Sequence, residues 1–302
     1  MVVLDASRGT REGVDGSGGR EAMDATVFAA VLMAAFLHAG WNAVVNVGLD
    51  RLATVLLLSM VQSGLALGLL AFFPLPAAVS WRWLAASALL HTGYKLLLAR
   101  AYAHGKLSQV YPLARGTAPL LVALAGAAVL GETLGRLQAL AVLAIALGVV
   151  LMARNGGTDL GSTPPKALAY ALGTAVCTAS YSLVDGVGAR LAGTASGFTL
   201  WMFVGDGLAM ASWAAVTGGP AAFARLAPAW RGGLTAGAMS LGSYWIAIWA
   251  FTRAPIALVA ALRETSVLFA MLIAALVLRE RGDGWRWAAA GLIGTGVVLM
   301  RL

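Results

Sequence analysis

The sequence predicts an all-α polytopic membrane protein with ten transmembrane helices, arranged as two inverted five-helix repeats. The first observation is composition: of 302 residues, 60% are hydrophobic and 11% are charged, with a mean hydropathy of +0.83. Soluble domains carry about 25% charged residues, so this chain has too few charges to cover a water-exposed surface. The second observation is a series of ten apolar windows, and the third is a match between the two halves of the chain.

A helix needs about 20 apolar residues to cross the hydrocarbon core of a bilayer. Windows of this kind are predicted at residues 24–48, 53–73, 82–103, 107–130, 135–153, 166–188, 196–217, 230–252, 256–278 and 285–301. The longest polar connector, ARNGGTDLGSTPPKA, begins at Ala153 and contains Gly and Pro residues that interrupt helices. The predicted organisation is therefore an N-terminal tail (1–23), a first repeat (24–153), a connecting loop (154–165) and a second repeat (166–302).

The N-terminal tail is rich in glycine and in charges of both signs. It lacks the apolar h-region of a secretory signal peptide, and we expect it to be disordered. Met23 stands directly before the first apolar window and is a candidate for the true start of translation.

The two halves share sequence at a fixed offset. The segment LGETLGRLQALAVLAIALGVVLM ends at Met152, and LRERGDGWRWAAAGLIGTGVVLM ends at Met300, so that an offset of 148 superposes them. The same offset places Arg115 on Arg263, and an offset of 140 relates HAGWN at 38–42 to TASYS at 178–182. Several matches in the same order favour a duplication. Because each copy has an odd number of spans, the second copy must enter the membrane from the opposite side, as in many secondary transporters.

Composition also excludes several classes of protein. The net charge of +8 arises mostly from Lys and Arg at the ends of apolar windows, which favours contact with anionic lipid and not with nucleic acid. Cys177 is the only cysteine, so no internal disulfide or thiolate metal cluster is expected. The three histidines lack metal-ligand spacing, and no hydrolase or phosphate-binding motif occurs. We therefore expect neither enzymatic activity nor a cofactor or metal.

Polar side chains inside apolar windows are the candidates for a functional site, since charges at membrane depth are costly and are usually paired or line a polar cavity. Residues three or four apart share a helix face, and two such faces occur at equivalent places in the two halves. The candidate substrate-binding residues are His38, Trp41, Asn42, Tyr94, Lys95, Tyr111, Arg115, Tyr181, Ser182, Asp185 and Arg263. The candidates for coupling to protons are Asp185, Asp206 and Glu264.

Each candidate also has a purely structural interpretation. His38 and Asn42 can join neighbouring helices by hydrogen bonds. Arg115 and Arg263, near the start of the fourth span of each repeat, can extend to the lipid headgroups. Asp206 can be a structural partner of Lys95. Glu132, next to Arg136 at a helix end, is interpreted as a solvated structural residue, and Gly64, Gly68, Gly291 and Gly294 as sites of close helix packing.

The motifs resemble those of a known family. HAGWN in the first window, VYPLARGTAPLLVAL entering the fourth, GE closing it and ALRETSVLFAMLIAALVLRE in the ninth are similar to the drug/metabolite transporter superfamily, specifically the EamA-type transporters. The resemblance implies ten helices with both termini cytoplasmic. It also implies a central cavity lined by the first, third and fourth spans of each half. Many relatives have Lys where this chain has Asn46, and Arg279 with Glu280 replaces the second GE.

These features predict a secondary transporter in the cell (inner) membrane for a small metabolite, such as an amino acid or another zwitterionic or anionic compound. The leading hypothesis is an exporter that works by alternating access, with protons as the candidate coupling ion. A lipid-linked headgroup translocase and a non-transporting membrane subunit are the alternatives. The oligomeric state is left open by the sequence, and Lys and Arg are too evenly distributed to orient the chain.

Overall fold

The computed structural model describes residues 23–44, 51–105, 107–153, 164–277 and 284–302, and these segments contain helices and no strands. Outside the described residues lie positions 1–22 of the predicted tail (1–23), positions 154–163 of the connecting loop (154–165), Asn46, Arg279 and Glu280. The helices are α1 (Ala25–Val44), α2 (Arg51–Leu69), α3 (Trp81–His104), α4 (Leu107–Ala125), α5 (Arg136–Ala153), α6 (Pro165–Leu191), α7 (Ala195–Ala224), α8 (Trp230–Phe251), α9 (Ile256–Arg263), α10 (Ser266–Val277) and α11 (Gly284–Leu299).

Each predicted window coincides with one of these helices, except that the ninth comprises both α9 and α10. In the part of the chain that the structure describes, seven helical segments are long and apolar enough to cross a membrane. The exceptions are α3, which carries Arg82, Lys95 and Arg100, and the shorter helices α5 and α11. The chain is thus a multi-pass helical protein, and ten crossings remain a prediction.

Side chains at helix starts provide hydrogen-bond partners for free backbone amides. Asp24 accepts bonds from the amides of Thr26 (2.9 Å) and Val27 (3.1 Å) at the start of α1. These backbone hydrogen bonds hold the pKa of the Asp24 carboxyl below its usual value, and the bond from the Val27 amide has the largest effect. Thr194 caps α7 in the same way through the amide of Gly197.

Helix packing relates the two repeats by an approximate two-fold axis. Helix α3 packs on α6 just as α8 packs on α1, and α2 packs on α8 just as α7 packs on α3. Helices α5 and α11 pack against each other, as do α2 and α7. The largest cluster of buried apolar side chains accordingly includes residues of both repeats.

The crossing of α5 and α11 shows this symmetry at atomic detail. A Cβ atom on Gly148 would lie 2.5 Å from Ile293 Cγ1, and one on Gly296 would lie 2.6 Å from Ile145 Cγ1. These two contacts exchange under the offset of 148. From Ile145 to Gly148 the position rises along α5, while that of the contacted residue falls along α11 from Gly296 to Ile293, so the helices are antiparallel and the axis is perpendicular to them. This is the geometry that inverted repeats require.

The interpretation of four other glycines as packing sites is wrong. Among the described residues, a Cβ atom on Gly64, Gly68, Gly291 or Gly294 would meet no atom within 4 Å. Helix approach depends instead on glycines such as Gly148 and Gly296, where a side chain would collide with the neighbouring helix.

Candidate functional site

Buried ionisable side chains form a belt through the interior of the bundle. Its charged members are Lys95, Arg115, Asp185, Asp206, Arg263 and Glu264. They come from α3, α4, α6, α7 and the junction between α9 and α10, so that both repeats contribute. Three groups of contacts make up this belt.

The first group surrounds Arg115 on α4. Its Nε lies 3.0 Å from Glu264 Oε2, and its Nη2 lies 3.1 Å from His38 Nε2. Arg115 and Glu264 are 6% and 4% exposed, respectively. Trp41 Nε1 donates to His38 Nδ1 at 3.4 Å, which orients the imidazole ring. A buried ion pair between the repeats therefore joins α4 to the second half of the chain.

The second group surrounds Asp185 on α6, which is fully buried. Its Oδ2 lies 3.0 Å from His91 Nε2 and accepts the Tyr244 hydroxyl at 2.5 Å. The His91 ring stacks on Tyr181 with centroids 4.1 Å apart, and Tyr94 meets Tyr181 edge to face. Aromatic rings from α3, α6 and α8 therefore pack around Asp185.

The third group is an ion pair between Lys95 on α3 and Asp206 on α7. Lys95 Nζ also donates to Ser59 Oγ on α2 at 2.6 Å. The side chains of Lys95 and Asp206 are 12% and 1% exposed. This agrees with the structural interpretation of Asp206 as the partner of Lys95.

Arg263 connects the first two groups. Its guanidinium carbon lies 4.8 Å from the centre of the Tyr244 ring, a cation–π distance, and the residue is 8% exposed. Arg263 precedes Glu264, which pairs with Arg115, while Tyr244 bonds Asp185. The belt is therefore continuous from α4 to α3.

The belt crosses the ninth span where the helix is distorted. At positions 264, 265, 267 and 268, backbone amides donate to the carbonyl three residues earlier, whereas the amide of Phe269 returns to the carbonyl four residues earlier. A short tightened segment of this kind inside a helix often marks a functional position or local strain. Here it separates α9 from α10 at the charged residues Arg263 and Glu264.

Two predicted residues bond within their own helices, as far as the described residues show. Asn42 Nδ2 donates to the His38 carbonyl and Ser182 Oγ to the Thr178 carbonyl, each one turn back on the same helix. The structure describes the backbone of Tyr111 in α4 but not its side chain. The remaining predicted residues lie in the belt or against it.

Three belt residues were not among the predicted site residues. Tyr244 follows Ser243 and lies four residues after Ser240, and Ser59 is followed by Gln62 and Ser63, so neither hydroxyl stands out when read along the chain. His91 shares a face with Lys95, and this spacing is the stronger signal. Its partner Asp185 lies 94 residues away, so only the tertiary structure brings the two together.

A separate polar network joins the repeats at one end of the bundle. The fourth span ends in a π-helical turn at Gly126–Leu130, after which Gly131 has φ 66°, a left-handed conformation that favours glycine. The chain then directs Glu132 towards Arg190, with Oε1 2.8 Å from Nη2, and its Oε2 accepts the amide of Ile256 at 2.9 Å. The Glu132 side chain is 13% exposed. Glu132 therefore has a structural role, as predicted, but its side chain is largely shielded from solvent and its partner is Arg190.

Within the described ranges, no group of three or more His, Cys, Asp or Glu side chains has a geometry that could hold a metal ion. The belt's acids are instead arranged with cations and hydroxyls.

Comparison with known proteins decides the family. The model of the EamA-like transporter family matches residues 26–154 and again residues 165–302. The chain belongs to this family. It is thus a multi-pass membrane transporter of small molecules, and the two EamA matches correspond to its two helical repeats.

Solved structures give the same fold. Among 28 matching chains, one described only as "Crystal structure of protein" is 17% identical, with a TM-score of 0.66. The alignment covers 91% of this EamA chain and 96% of that chain. At this identity the likeness shows the fold alone. A comparison with curated proteins gives no significant match.

Proposed function

We propose that this EamA protein is a secondary transporter that exports a small metabolite by alternating access. One observation carries the proposal: helices apolar enough to span a membrane enclose a belt of three cations and three acids drawn from both repeats. Charges at such depth are retained mainly where they bind or move a solute. Inverted repeats around a central site give two similar conformations open to opposite sides.

The proposed substrate is an amino acid or a similar zwitterionic or anionic compound. Lys95, Arg115 and Arg263 formally balance Asp185, Asp206 and Glu264, so the belt accommodates a molecule with charges of both signs better than a lipophilic cation. Protons are the proposed coupling ion, through Asp185, Asp206 or Glu264. The proposed setting is the inner membrane, with ten crossings and both termini in the cytoplasm.

Transport by the purified full chain in proteoliposomes tests this function. A metabolite library is first screened for compounds that raise the unfolding temperature, because a ligand that binds the folded state stabilises it. We expect counterflow of at least one hit, reduced by Lys95→Ala and by Arg263→Ala but not by Arg253→Gln, which changes an exposed arginine. Unchanged transport in both belt variants would remove the belt from the mechanism.

Two alternatives remain distinct by experiment. A headgroup translocase would move a lipid-linked substrate between leaflets and leave water-soluble metabolites untransported. A non-transporting subunit would co-purify in fixed proportion with another membrane protein. The balanced belt enclosed by both repeats supports solute transport over either alternative.

A further inference from the structure

Two arginines occupy equivalent positions in the repeats but have different surroundings. The offset of 148 superposes Arg115 in LARGT on Arg263 in ALRET. In the following position, however, Gly116 of the first repeat stands where the second repeat has Glu264. The second repeat thus has an acid after its arginine, whereas the first repeat has a glycine at the equivalent position.

Arg115 receives that acid. Glu264 lies across the repeat interface with its Oε2 3.0 Å from Arg115 Nε, and His38 lies on the other side of the guanidinium group. Lys95 is neutralised in the same way by Asp206. Two of the three belt cations therefore already have a carboxylate partner.

Arg263 has no such partner. Although it is 8% exposed, it makes no ion pair within 4 Å with any residue that the structure describes, and its Nε has no hydrogen-bond partner there. Its contact is the face of the Tyr244 ring. A buried cation without an anion is costly, and Gly116 explains why the protein does not supply one.

Asp185 has one carboxylate oxygen that accepts no hydrogen bond from the described residues. Both of its contacts, from His91 and Tyr244, are made to Oδ2, while the buried Oδ1 has no partner among the described residues. Tyr244 contacts both the Arg263 guanidinium group and the Asp185 carboxylate, since its ring lies against Arg263 and its hydroxyl donates to Asp185. One positive and one negative group therefore adjoin the same tyrosine.

We propose that Arg263 and Asp185 are the specificity-determining residues of the site, whereas Arg115 and Lys95 hold the repeats together. Arg263 binds the carboxylate of the substrate, because a guanidinium group matches a carboxylate with two parallel hydrogen bonds. Asp185 Oδ1 accepts from its ammonium group. This assignment rests on the proposed function and divides the belt cations into one that binds substrate and two that are structural.

The test combines ligand and protein changes. Purified full-length protein is heated with an amino acid, its amide or its deaminated acid, in sets built on alanine, leucine and phenylalanine. For the wild-type protein, we expect at least one amino acid to raise the unfolding temperature more than either analogue. In Arg263→Gln the amino acid and its amide should become equal, and in Asp185→Asn the amino acid and the deaminated acid should become equal.

A second measurement separates binding from structure. Without ligand, Arg263→Gln should unfold at least about 2 °C above the wild-type protein, because it removes a buried unpaired charge. A merely structural Arg263 would give a decrease. Arg263→Lys keeps the charge but not the fork, and should retain folding with weakened carboxylate discrimination. Arg253→Gln is the matched control and should behave as the wild type.

Two results overturn the assignment. The first is that no set distinguishes its three members in the wild-type protein, and the second is that Arg263→Gln keeps the preference for a carboxylate. Failure of transport is a separate outcome: an amino acid that binds through Arg263 but does not cross proteoliposomes would reject the proposed function and leave this binding assignment intact.

Discussion

The two repeats agree in packing and differ in charge. Gly148 and Gly296 make reciprocal contacts at the crossing of α5 and α11, and the helix pairs on either side exchange under the same two-fold relation. The charged side chains do not all have equivalents under this relation, since Glu264 corresponds to Gly116. The duplicated backbone thus packs symmetrically. Sequence differences between the repeats, such as Glu264 against Gly116, make the charged site asymmetric.

The largest expected effect is on the asymmetric ion pair. Arg115→Gln leaves Glu264 buried without its cation, and losing one member of a buried pair costs about 3–5 kcal/mol. We expect a loss of this size in the free energy of unfolding, measured by denaturant titration in micelles. The double variant Arg115→Gln/Glu264→Gln should recover much of it. A single-variant loss below about 1 kcal/mol would contradict the structural role of this pair.

The symmetric crossing should respond equally from either side. Gly148→Ala places a Cβ atom 2.5 Å from Ile293 Cγ1 and 3.1 Å from the Ala289 carbonyl oxygen, so we expect a loss of about 1–3 kcal/mol from overpacking. Gly296→Ala should cost a similar amount. Gly291→Ala, with open space around it, is the control and should be neutral or slightly stabilising. Clearly unequal losses at the two positions would break the two-fold relation.

The smallest expected effect concerns the network at the end of the bundle. Glu132→Gln weakens contacts to Arg190 and to the amide of Ile256, but the Arg190 side chain is 36% exposed, so solvent reduces the loss to about 1 kcal/mol. Hydrogen exchange at the Ile256 amide should accelerate. Arg190→Gln should have a comparable effect, and Arg136→Gln none. An effect of Arg136→Gln instead would restore the interpretation based on sequence neighbours.

Much of the fold was predictable from the sequence because lipid forces backbone hydrogen bonds into helices and makes apolar length informative. The offset of 148 also identified Arg115 and Arg263 as equivalent. The offset could not identify the partners of these arginines, since the pairing of Arg115 with Glu264 depends on how the two repeats pack together. The same holds for Glu132, whose partner Arg190 is distant in sequence while Arg136 is near.

Glycine roles were equally hidden in the sequence. Gly291 and Gly296 lie on one helix, yet only the second faces α5. In a window that is apolar on all sides, hydrophobic periodicity does not distinguish a face towards lipid from a face towards protein. Tyr244 was missed for a related reason, because its hydroxyl is one of several in its window and its partner Asp185 lies 59 residues away in sequence.

The crossing of α5 and α11 has a further consequence for motion. A rotation leaves the points on its axis in place, and each helix at this crossing contacts its own equivalent. If the repeats exchange conformations, the crossing stays fixed while the pairs away from the axis change places. Those pairs, α3 with α6 and α1 with α8, include the helices of His91, Asp185 and Tyr244. Under the proposed alternating access, the crossing of α5 and α11 would be a fixed seam, and it contains none of the charged belt residues.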